Sequence, residues 1–299
     1  MRYAYIETTS YCNVACQFCN REEVINGTTH MSIADFESIM RQLKKYDVQE
    51  AKLMGMGEPF MHPQFGRIVR IFKETFPTSY LISATNGQIT FNDNYKQALD
   101  HLDVLYLSID GTRKNYEEIR KGSSWDKLLK FLEQISKVNT KCSLPINFTI
   151  CPQNVYDIPG VIELQKQFGL DDIRLNFVQN WDEKSKATEL NGFSQVQLDF
   201  LVQFRQYFKG KPIWDYSDCF WVKDGLYVTV DGNVKVCCMN TSATPVGNIL
   251  RQPIELIHRN KEFLKIKDGC ATNTPTAHCA TCSYKELTPF LSKVMNDKA

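Results

Sequence analysis

Three cysteines near the start of the chain have the residue type and the spacing to hold a metal cluster. Cys12, Cys16 and Cys19 follow the pattern Cys-x3-Cys-x2-Cys, and Phe18 stands directly before the third of them. Three thiolates on one short loop can hold three irons of a [4Fe–4S] cube. Because the loop supplies no fourth cysteine, one iron stays open to an outside ligand, which is what iron–sulfur radical chemistry requires. A zinc site is the alternative, but structural zinc usually takes its four ligands as two separated pairs.

A second set of cysteines lies near the other end of the chain. Cys219 is followed by twelve residues, Gly232, four residues and Cys237, and Cys279 and Cys282 form a later Cys-x2-Cys pair. Four thiolates are enough to ligate one [4Fe–4S] cluster completely, and zinc remains the alternative. Two further cysteines lie close by in sequence, Cys238 directly after Cys237 and Cys270 nine residues before Cys279. Each is either a small apolar core residue or a free thiol beside a cluster.

Composition excludes several classes of protein. The 299 residues are 43% hydrophobic and carry a net charge of +1, without a strongly basic run. A dedicated nucleic-acid or anionic-membrane binder needs clustered positive charge, so neither class is expected. No apolar stretch has the length of a signal peptide core or a membrane span. We therefore expect a cytoplasmic protein, in which eleven cysteines indicate metal or catalytic ligands rather than disulfides.

The elements that must position these cysteines follow an alternating pattern over the first two thirds of the chain. Short apolar runs predict parallel strands, and the amphipathic stretches between them predict crossover helices. The predicted strands are 3–9, 50–55, 79–84, 103–109, 143–150 and 171–178, and the predicted helices are 33–46 with Ser32 as N-cap, 64–75, 126–138 and 157–168. Six β/α units indicate an α/β fold, namely an open, partial TIM-like barrel. Ligands collect at the carboxyl ends of such strands, where the first cysteine loop lies.

The pattern changes in the last third. Residues 180–193 are polar and predict a loop, a helix is expected over 194–209, and the sheet pattern then stops. Two short strands joined by Asp231-Gly232-Asn233 predict a β-hairpin, since glycine permits positive φ. We predict a domain boundary near 210, with a core of residues 1–209 and a small cluster-binding domain of residues 210–299.

Polar residues at the predicted strand ends are candidate cofactor or substrate contacts. The second strand is followed by Gly57-Glu58-Pro59, the third ends in Asn86, and the fourth ends in Ser108 and Asp110. Ordinary turn chemistry is the alternative for Asn86 and for Asp110. On the fifth and sixth strands, the two-residue period places Asn147 and Arg174 on the polar face that lines a central cavity. Glu7, near the end of the first strand, is a candidate substrate contact or catalytic base, with a structural salt bridge as the alternative.

These motifs resemble those of the radical S-adenosylmethionine (radical SAM) superfamily. The resemblance implies that SAM chelates the open iron and is cleaved to a 5′-deoxyadenosyl radical, and that Phe18 belongs to the cofactor site. It also implies that the backbone of Gly57, Glu58 and Pro59 binds the amino group of SAM. The glycine usual two residues before the glutamate is Met56 here, a departure that backbone contacts tolerate. The strand ends with Asn86, Ser108 and Asp110 would bind the ribose or the carboxylate.

The C-terminal cysteines resemble the auxiliary-cluster extensions of the same superfamily, which are called SPASM with two clusters and twitch with one. Because only Cys219, Cys237, Cys279 and Cys282 match, the twitch form fits best, similar to the scyllo-inosamine dehydrogenase of the butirosin pathway. This resemblance implies one auxiliary [4Fe–4S] cluster and an electron donor such as flavodoxin or ferredoxin.

Three enzymatic hypotheses and one non-enzymatic hypothesis follow. The first is a dehydrogenase that oxidises an alcohol of a small polar, sugar- or cyclitol-like substrate and passes the remaining electron to the auxiliary cluster. The second is an epimerase in which Cys238 donates a hydrogen atom to the substrate radical. The third is modification of a ribosomally made peptide. An iron–sulfur electron carrier would need neither the Gly-Glu-Pro segment nor a cofactor cavity.

Overall fold

The computed structural model describes residues 1–21, 27–179, 192–209, 215–239, 243–280 and 282–295. The loop predicted over 180–193 lies almost entirely outside these residues, and so does the predicted boundary at 210.

Eleven strands are present in the described residues. Six of them correspond to the six predicted strands. Five are shorter than predicted, and the third has the predicted length but begins and ends one residue later. The strands are β1 (Tyr3–Ile6), β2 (Ala15–Cys16), β3 (Glu50–Leu53), β4 (Tyr80–Thr85), β5 (Val104–Ser108), β6 (Arg120–Lys121), β7 (Ile146–Ile150), β8 (Ile173–Phe177), β9 (Gly225–Val228), β10 (Asn233–Lys235) and β11 (Gly247–Asn248).

Helices follow most of the parallel strands. In the first half of the chain they are α1 (Ile33–Leu43), α2 (Phe65–Thr75), α3 (Asp93–Leu99), α4 (Arg113–Ile119), α5 (Trp125–Ile135) and α6 (Ile158–Gln167). In the second half they are α7 (Gln195–Val202), α8 (Phe220–Asp224), α9 (Ile254–His258), α10 (Lys261–Ala271), α11 (Ala277–Ala280), α12 (Ser283–Glu286) and α13 (Thr288–Met295).

Local sequence explains where the predicted helices begin. The Ser32 side chain accepts a hydrogen bond from the Asp35 backbone N–H, which confirms Ser32 as the N-cap of α1 and satisfies one of the free amides of the first turn. The short helices α3 and α4 were not predicted. Each has only seven residues, too few to show a clear helical period in the sequence.

The sheet has nine strands in the order β11-β10-β9-β1-β3-β4-β5-β7-β8. Its last six strands are mutually parallel, which confirms the α/β fold and the partial barrel. The expectation that the sheet pattern stops before the C-terminal region was wrong. Strand β9 pairs in parallel with β1, and β10 and β11 continue the sheet in antiparallel pairings. The predicted hairpin is therefore present, and it extends the barrel sheet.

The two faces of this sheet differ in chemistry. Ile146, Phe148 and Ile150 on β7 are buried, whereas Asn147 and Thr149 between them are partly exposed, as the two-residue period predicts. Strand β8 repeats the pattern with Arg174 and Asn176. The apolar face joins the core with the helices, and the polar face borders the cavity described below. No helix in the described ranges is both long and apolar enough to cross a membrane.

Candidate functional site

The first cysteine loop is held by a small sheet of its own. Strand β2 pairs antiparallel with β6, so that Cys16 lies opposite Arg120. The Cys19 backbone N–H donates to the Cys16 carbonyl at 3.0 Å, which turns the loop back on itself. Cys12 and Cys16 are half-buried and Cys19 is exposed. Burial raises the pKa of the Cys16 thiol to about 12, and the positive charge of Arg120 acts in the opposite direction.

The segment before this loop is fixed by residues 29–30. The Ser10 backbone N–H donates to the Thr29 carbonyl at 3.0 Å. The Tyr11 ring stacks on the His30 ring at a centroid distance of 4.5 Å, and the Thr9 hydroxyl lies 2.8 Å from His30 Nδ1. The chain therefore enters the cysteine loop in one defined direction.

The Gly57-Glu58-Pro59 segment lies directly against that entry. The Glu58 backbone N–H donates to the Tyr11 carbonyl at 2.7 Å. A side chain at Gly57 would overlap the Thr9 carbonyl oxygen, so this close approach requires glycine. Pro59 begins a short 3₁₀ helix. The structure thus brings the Gly-Glu-Pro backbone beside the cysteine loop, as the sequence predicted for the two motifs.

The Glu58 side chain joins this segment to the end of β4. Its carboxylate accepts a hydrogen bond from the Asn86 backbone N–H at 2.7 Å and another from the Phe60 N–H at 3.3 Å. The residue is buried. Burial raises the pKa of Glu58 from 4.5 to about 7, although the hydrogen bonds from Asn86 and Phe60 act in the opposite direction. Glu58 therefore positions backbone rather than facing a ligand.

The raised pKa of Glu58 predicts a pH dependence of stability. Because the folded-state pKa lies above the unfolded value, the folded chain binds more protons between pH 4.5 and about 7, and stability falls as pH rises through that window. Glu58→Gln removes this titration. Between pH 5 and pH 8, we expect the free energy of unfolding of the parent to fall by at most about 3 kcal/mol more than that of Glu58→Gln. Denaturant unfolding at several pH values measures it, and parallel pH profiles would contradict the assignment.

Asn86 also contacts protein rather than open space. Its side-chain amide donates to Asn13 Oδ1 at 2.8 Å, and its Oδ1 accepts from the Gln88 backbone N–H at 2.9 Å. It is buried. The side chain ties the end of β4 to the cysteine loop, so Asn86 shapes the site from behind.

Asp110 occupies a buried ion pair. It lies 2.6 Å from Arg120, with the Asp110 side chain fully buried and that of Arg120 8% exposed. Its other carboxylate oxygen accepts from the Thr149 backbone N–H at 2.6 Å. Burial raises the pKa of Asp110 and the charge of Arg120 opposes this rise. The structure thus gives Asp110 protein partners where the sequence predicted a cofactor contact.

A cavity of about 580 Å³ opens beside these elements. One wall is polar and consists of Arg174, Asn176, Asn147 and Tyr106. Asn176 Nδ2 donates to Asn147 Oδ1 at 2.8 Å, Arg174 Nε donates to Asn176 Oδ1 at 3.1 Å, and Arg174 also donates to the Tyr106 hydroxyl at 3.3 Å. This network holds four polar side chains in fixed positions at the cavity. The predicted placement of Asn147 and Arg174 on the cavity face agrees with the geometry.

Not all of the other residues predicted at this end of the barrel line this cavity. Phe18 and Cys19 line it. Ser108 is partly exposed at the end of β5, paired in register with Asn147. Met56 and Gly55 line the cavity beside them.

Glu7 does not line the cavity, but its hydrogen-bond partner does. The buried Glu7 carboxylate accepts from the Tyr227 hydroxyl at 2.5 Å, from the Met56 N–H at 2.9 Å and from the Val230 N–H at 3.3 Å. A side chain at Gly55 would overlap Glu7. Burial raises the pKa of Glu7, and the hydrogen bond from Tyr227 is the largest opposing effect. Tyr227, which the sequence gave no reason to select, stands between Glu7 and the cavity.

The second set of cysteines lines the same cavity. Its four members are Cys219 before α8, Cys237 after β10, Cys279 in α11 and Cys282 directly before α12, and Cys238 after β10 and Cys270 in α10 line the cavity with them. The Cys282 N–H donates to the Cys279 carbonyl at 3.1 Å. Cys270 shares a side-chain hydrogen bond with Cys279. Tertiary structure therefore adds Cys270 to the four thiols that the spacing selected.

The donor chemistry of both cysteine sets fits iron–sulfur clusters. All are thiols, the ligand that such clusters take. Within the described part of the chain, no three His, Cys, Asp or Glu side chains converge as a site for one metal ion. A cube holds its sulfur ligands further apart than a single ion does. A buried donor also remains beside the first loop, since Arg120 Nε–H has no hydrogen-bond acceptor among the described residues.

Comparison with protein families agrees with this geometry. Residues 6–163 match the model of the radical SAM superfamily. The chain belongs to the radical SAM superfamily. The matched region contains the first cysteine loop and the Gly-Glu-Pro segment, and it extends into α6. A [4Fe–4S] cluster and S-adenosylmethionine are therefore cofactors of this radical SAM protein.

Residues 219–283 match the SPASM model, described as an iron–sulfur cluster-binding domain. The match begins at Cys219 and includes every cysteine of the second set. This radical SAM protein therefore also has an auxiliary iron–sulfur cluster.

Curated relatives differ in what they do. The chain is 26% identical over 191 residues to the GTP 3′,8-cyclase of Chlorobaculum tepidum, covering 60% of this chain and 54% of the cyclase. It is 22% identical over 282 residues to the sporulation killing factor maturation protein SkfB of Bacillus subtilis, covering 88% of this chain and 66% of SkfB. This radical SAM protein thus spans about half the length of the cyclase and about two thirds of SkfB.

Solved structures share the fold. Streptococcus suis SuiB bound to the precursor peptide SuiA matches with a TM-score of 0.70 at 14% identity, over 95% of this chain and 70% of SuiB. BtrN in complex with AdoMet and 2-DOIA matches with a TM-score of 0.55 at 16% identity, over 91% of this chain and 88% of BtrN. Because proteins with different ligands share this architecture, the fold leaves the substrate open.

Proposed function

We propose that this radical SAM protein is a dehydrogenase that oxidises an alcohol carbon of a small, sugar- or cyclitol-like substrate. The observation that carries the proposal is one cavity whose lining includes Cys19, the second cysteine set and the polar wall. A substrate bound there lies within reach of both redox centres. The cofactors supply a 5′-deoxyadenosyl radical that takes a hydrogen atom and a cluster that accepts one electron.

Residue roles within the proposal follow from position. Cys12, Cys16 and Cys19 hold the SAM-binding cluster, and the Gly57-Glu58-Pro59 backbone with Ser108 holds SAM. Cys219, Cys237, Cys279 and Cys282 hold the auxiliary cluster. The core comprises residues 1–209 and the auxiliary domain residues 210–299. A cytoplasmic flavodoxin or ferredoxin supplies the first electron.

The polar wall suits hydroxyl groups. Arg174 donates charge-assisted hydrogen bonds, and Asn147 and Asn176 can each donate and accept. The proposal places SAM and part of each cluster in the 580 Å³ cavity, and the space that then remains suits a small molecule better than a long peptide. The bound peptide of SuiB and the GTP of the named cyclase are the competing substrate classes.

Tyr227 and Glu7 provide a route for the hydroxyl proton. The substrate hydroxyl can pass its proton to the Tyr227 oxygen while Tyr227 passes its own proton to Glu7, 2.5 Å away. The raised pKa of Glu7 makes it a better proton acceptor than an exposed carboxylate. The carbinol carbon loses one hydrogen atom to the radical, the hydroxyl loses one proton to Glu7, and the remaining electron goes to the auxiliary cluster. The product is a ketone.

Cys238 supports a second candidate function, epimerisation. It lines the same cavity as Tyr227 and Tyr5, where a thiol can return a hydrogen atom to a substrate radical. No net oxidation would result, and solvent hydrogen would appear at an inverted carbon.

The proposal is tested with the anaerobically reconstituted protein, dithionite, SAM and a panel of inositols and aminocyclitols. We expect a member of the panel to raise 5′-deoxyadenosine formation and to give a product two mass units lighter, one per deoxyadenosine. In deuterated water that product should carry no carbon-bound deuterium.

Three outcomes contradict the dehydrogenase. The first is an isomer of the substrate that carries one deuterium at the inverted carbon. If Cys238→Ala no longer forms this isomer but still forms deoxyadenosine, the protein is an epimerase. Stimulation by peptides alone assigns peptide modification. No deoxyadenosine at all removes both radical proposals.

A further inference from the structure

We propose that Arg120 is a positioning residue of the SAM-binding cluster: held by Asp110, its guanidinium donates to the Cys16 sulfur and makes the cluster easier to reduce. The inference rests on Cys16 as a cluster ligand, which is part of the proposed function. It is independent of the substrate.

Strand β6 is what brings Arg120 to the cluster loop. It pairs with β2 so that Arg120 lies opposite Cys16. The Gln17 backbone N–H donates to the Ile119 carbonyl at 2.8 Å, and the Gln17 side chain donates to the Glu118 carbonyl at 3.0 Å. The end of α4 and β6 therefore form one wall of the loop. Of the two cations on β6, Arg120 is buried and Lys121 is exposed.

The guanidinium is oriented by three contacts. Arg120 lies 2.6 Å from Asp110, its Nη1 donates to Cys16 Sγ at 3.6 Å, and its Cζ lies 5.9 Å from the centre of the Phe18 ring. The hydrogen bond is long, within the range for sulfur acceptors. With only 6% of Arg120 exposed, this charge is poorly screened by water and acts strongly on its neighbours.

Asp110 is itself held from the far side. It accepts from the Thr149 backbone N–H at 2.6 Å, and Asn154 donates to the Asp110 carbonyl at 2.9 Å. A buried ion pair contributes little net stability compared with an apolar pair. Because the Asp110–Arg120 pair lies beside Cys16 with its cationic end nearer the sulfur, its effect on the cluster is electrostatic.

Charge and hydrogen bonds to the sulfurs set the potential of an iron–sulfur cluster. Reduction adds one negative charge, which a nearby buried cation stabilises and a nearby buried anion destabilises. Removing the positive partner and removing the negative partner should therefore shift the midpoint potential in opposite directions. A merely structural ion pair has no reason to do so.

The test is an EPR-monitored redox titration of the reconstituted protein without SAM, on Arg120→Gln, Arg120→Lys and Asp110→Asn. For Arg120→Gln we expect about a tenfold lower ratio of reduced to oxidised cluster at a fixed potential, a shift of about 59 mV for one electron. Asp110→Asn should raise the same ratio, and Arg120→Lys should stay near the parent. Arg113→Gln is the matched control, since it breaks an exposed Arg–Asp pair at the start of α4, the helix that leads into β6.

Iron content and circular dichroism accompany every titration. Unchanged potentials in Arg120→Gln and Asp110→Asn, or shifts of the same sign, would overturn the proposal. If Arg120→Gln does not retain the cluster, the other two variants still test the proposal. It then requires a higher ratio of reduced to oxidised cluster in Asp110→Asn and a parent-like ratio in Arg120→Lys. Retention of the SAM-binding cluster by Cys16→Ala would instead show that the ligand assignment failed.

Discussion

Cys16→Ala is expected to lose reductive cleavage of SAM down to the background of the chemical reductant. Cys16 lies on β2, where its sulfur is fixed against Arg120 at 3.6 Å. Because the loop offers three thiols, loss of one leaves too few ligands for a cube with one open iron. Deoxyadenosine formation under dithionite measures the activity, and iron content should fall by the equivalent of one cluster.

Cys142→Ala is the matched control. Cys142 is a buried thiol in the apolar core, so its removal changes packing and should leave both iron content and SAM cleavage near the parent values. The assignment fails if Cys16→Ala keeps the parent rate of deoxyadenosine formation.

Tyr227→Phe is expected to lower turnover of the alcohol substrate by about 10²–10⁴-fold, the range for loss of a general acid–base group. The variant keeps the ring, which packs edge-on against Tyr5 at 5.3 Å, but loses the hydroxyl that reaches Glu7. SAM cleavage without product should persist, because the cysteine loop and the Gly-Glu-Pro segment are unchanged. Product and deoxyadenosine are measured together in single-turnover reactions.

A pH profile separates this role from a structural one. Parent turnover should fall on the acid side as Glu7 becomes protonated, at a pH above that of an ordinary glutamate because burial raises the pKa of Glu7. Tyr227→Phe should lose that acid limb. Tyr46→Phe is the control, since it also removes a hydroxyl contact between the N-terminal and C-terminal parts of the chain, in this case with His258. Equal turnover in parent and Tyr227→Phe would rule out the relay.

The strands show how much of the fold local sequence can predict. Alternation on β7 and β8 predicted both the strands and the cavity face of Asn147 and Arg174, because a two-residue period is visible in five residues. Asn86 and Asp110 show the limit of the same approach. Both lie at strand ends as expected, yet their side chains bind Asn13 and Arg120. Sequence position predicts the end of a strand but not the rotamer that a polar residue adopts there.

Arg120 and Tyr227 were not predicted because nothing local distinguishes them. Arg120 follows a seven-residue helix and lies 104 positions from Cys16. Tyr227 lies 220 positions from Glu7. The sequence contains a weak signal for Cys270, which lies nine residues before Cys279. Spacing alone did not show that this thiol lines the cavity.

The sequence alone determined the chemistry of initiation and the architecture. Cys12, Cys16 and Cys19 are adjacent along the chain, as are Gly57, Glu58 and Pro59, and motifs of this kind depend on short segments of backbone. Tertiary structure decided which distant side chains face one another: β9 on β1 brings Tyr227 to Glu7, and β6 on β2 brings Arg120 to Cys16. The physical reason is that register between distant strands depends on the packing of the whole core, which no single segment encodes.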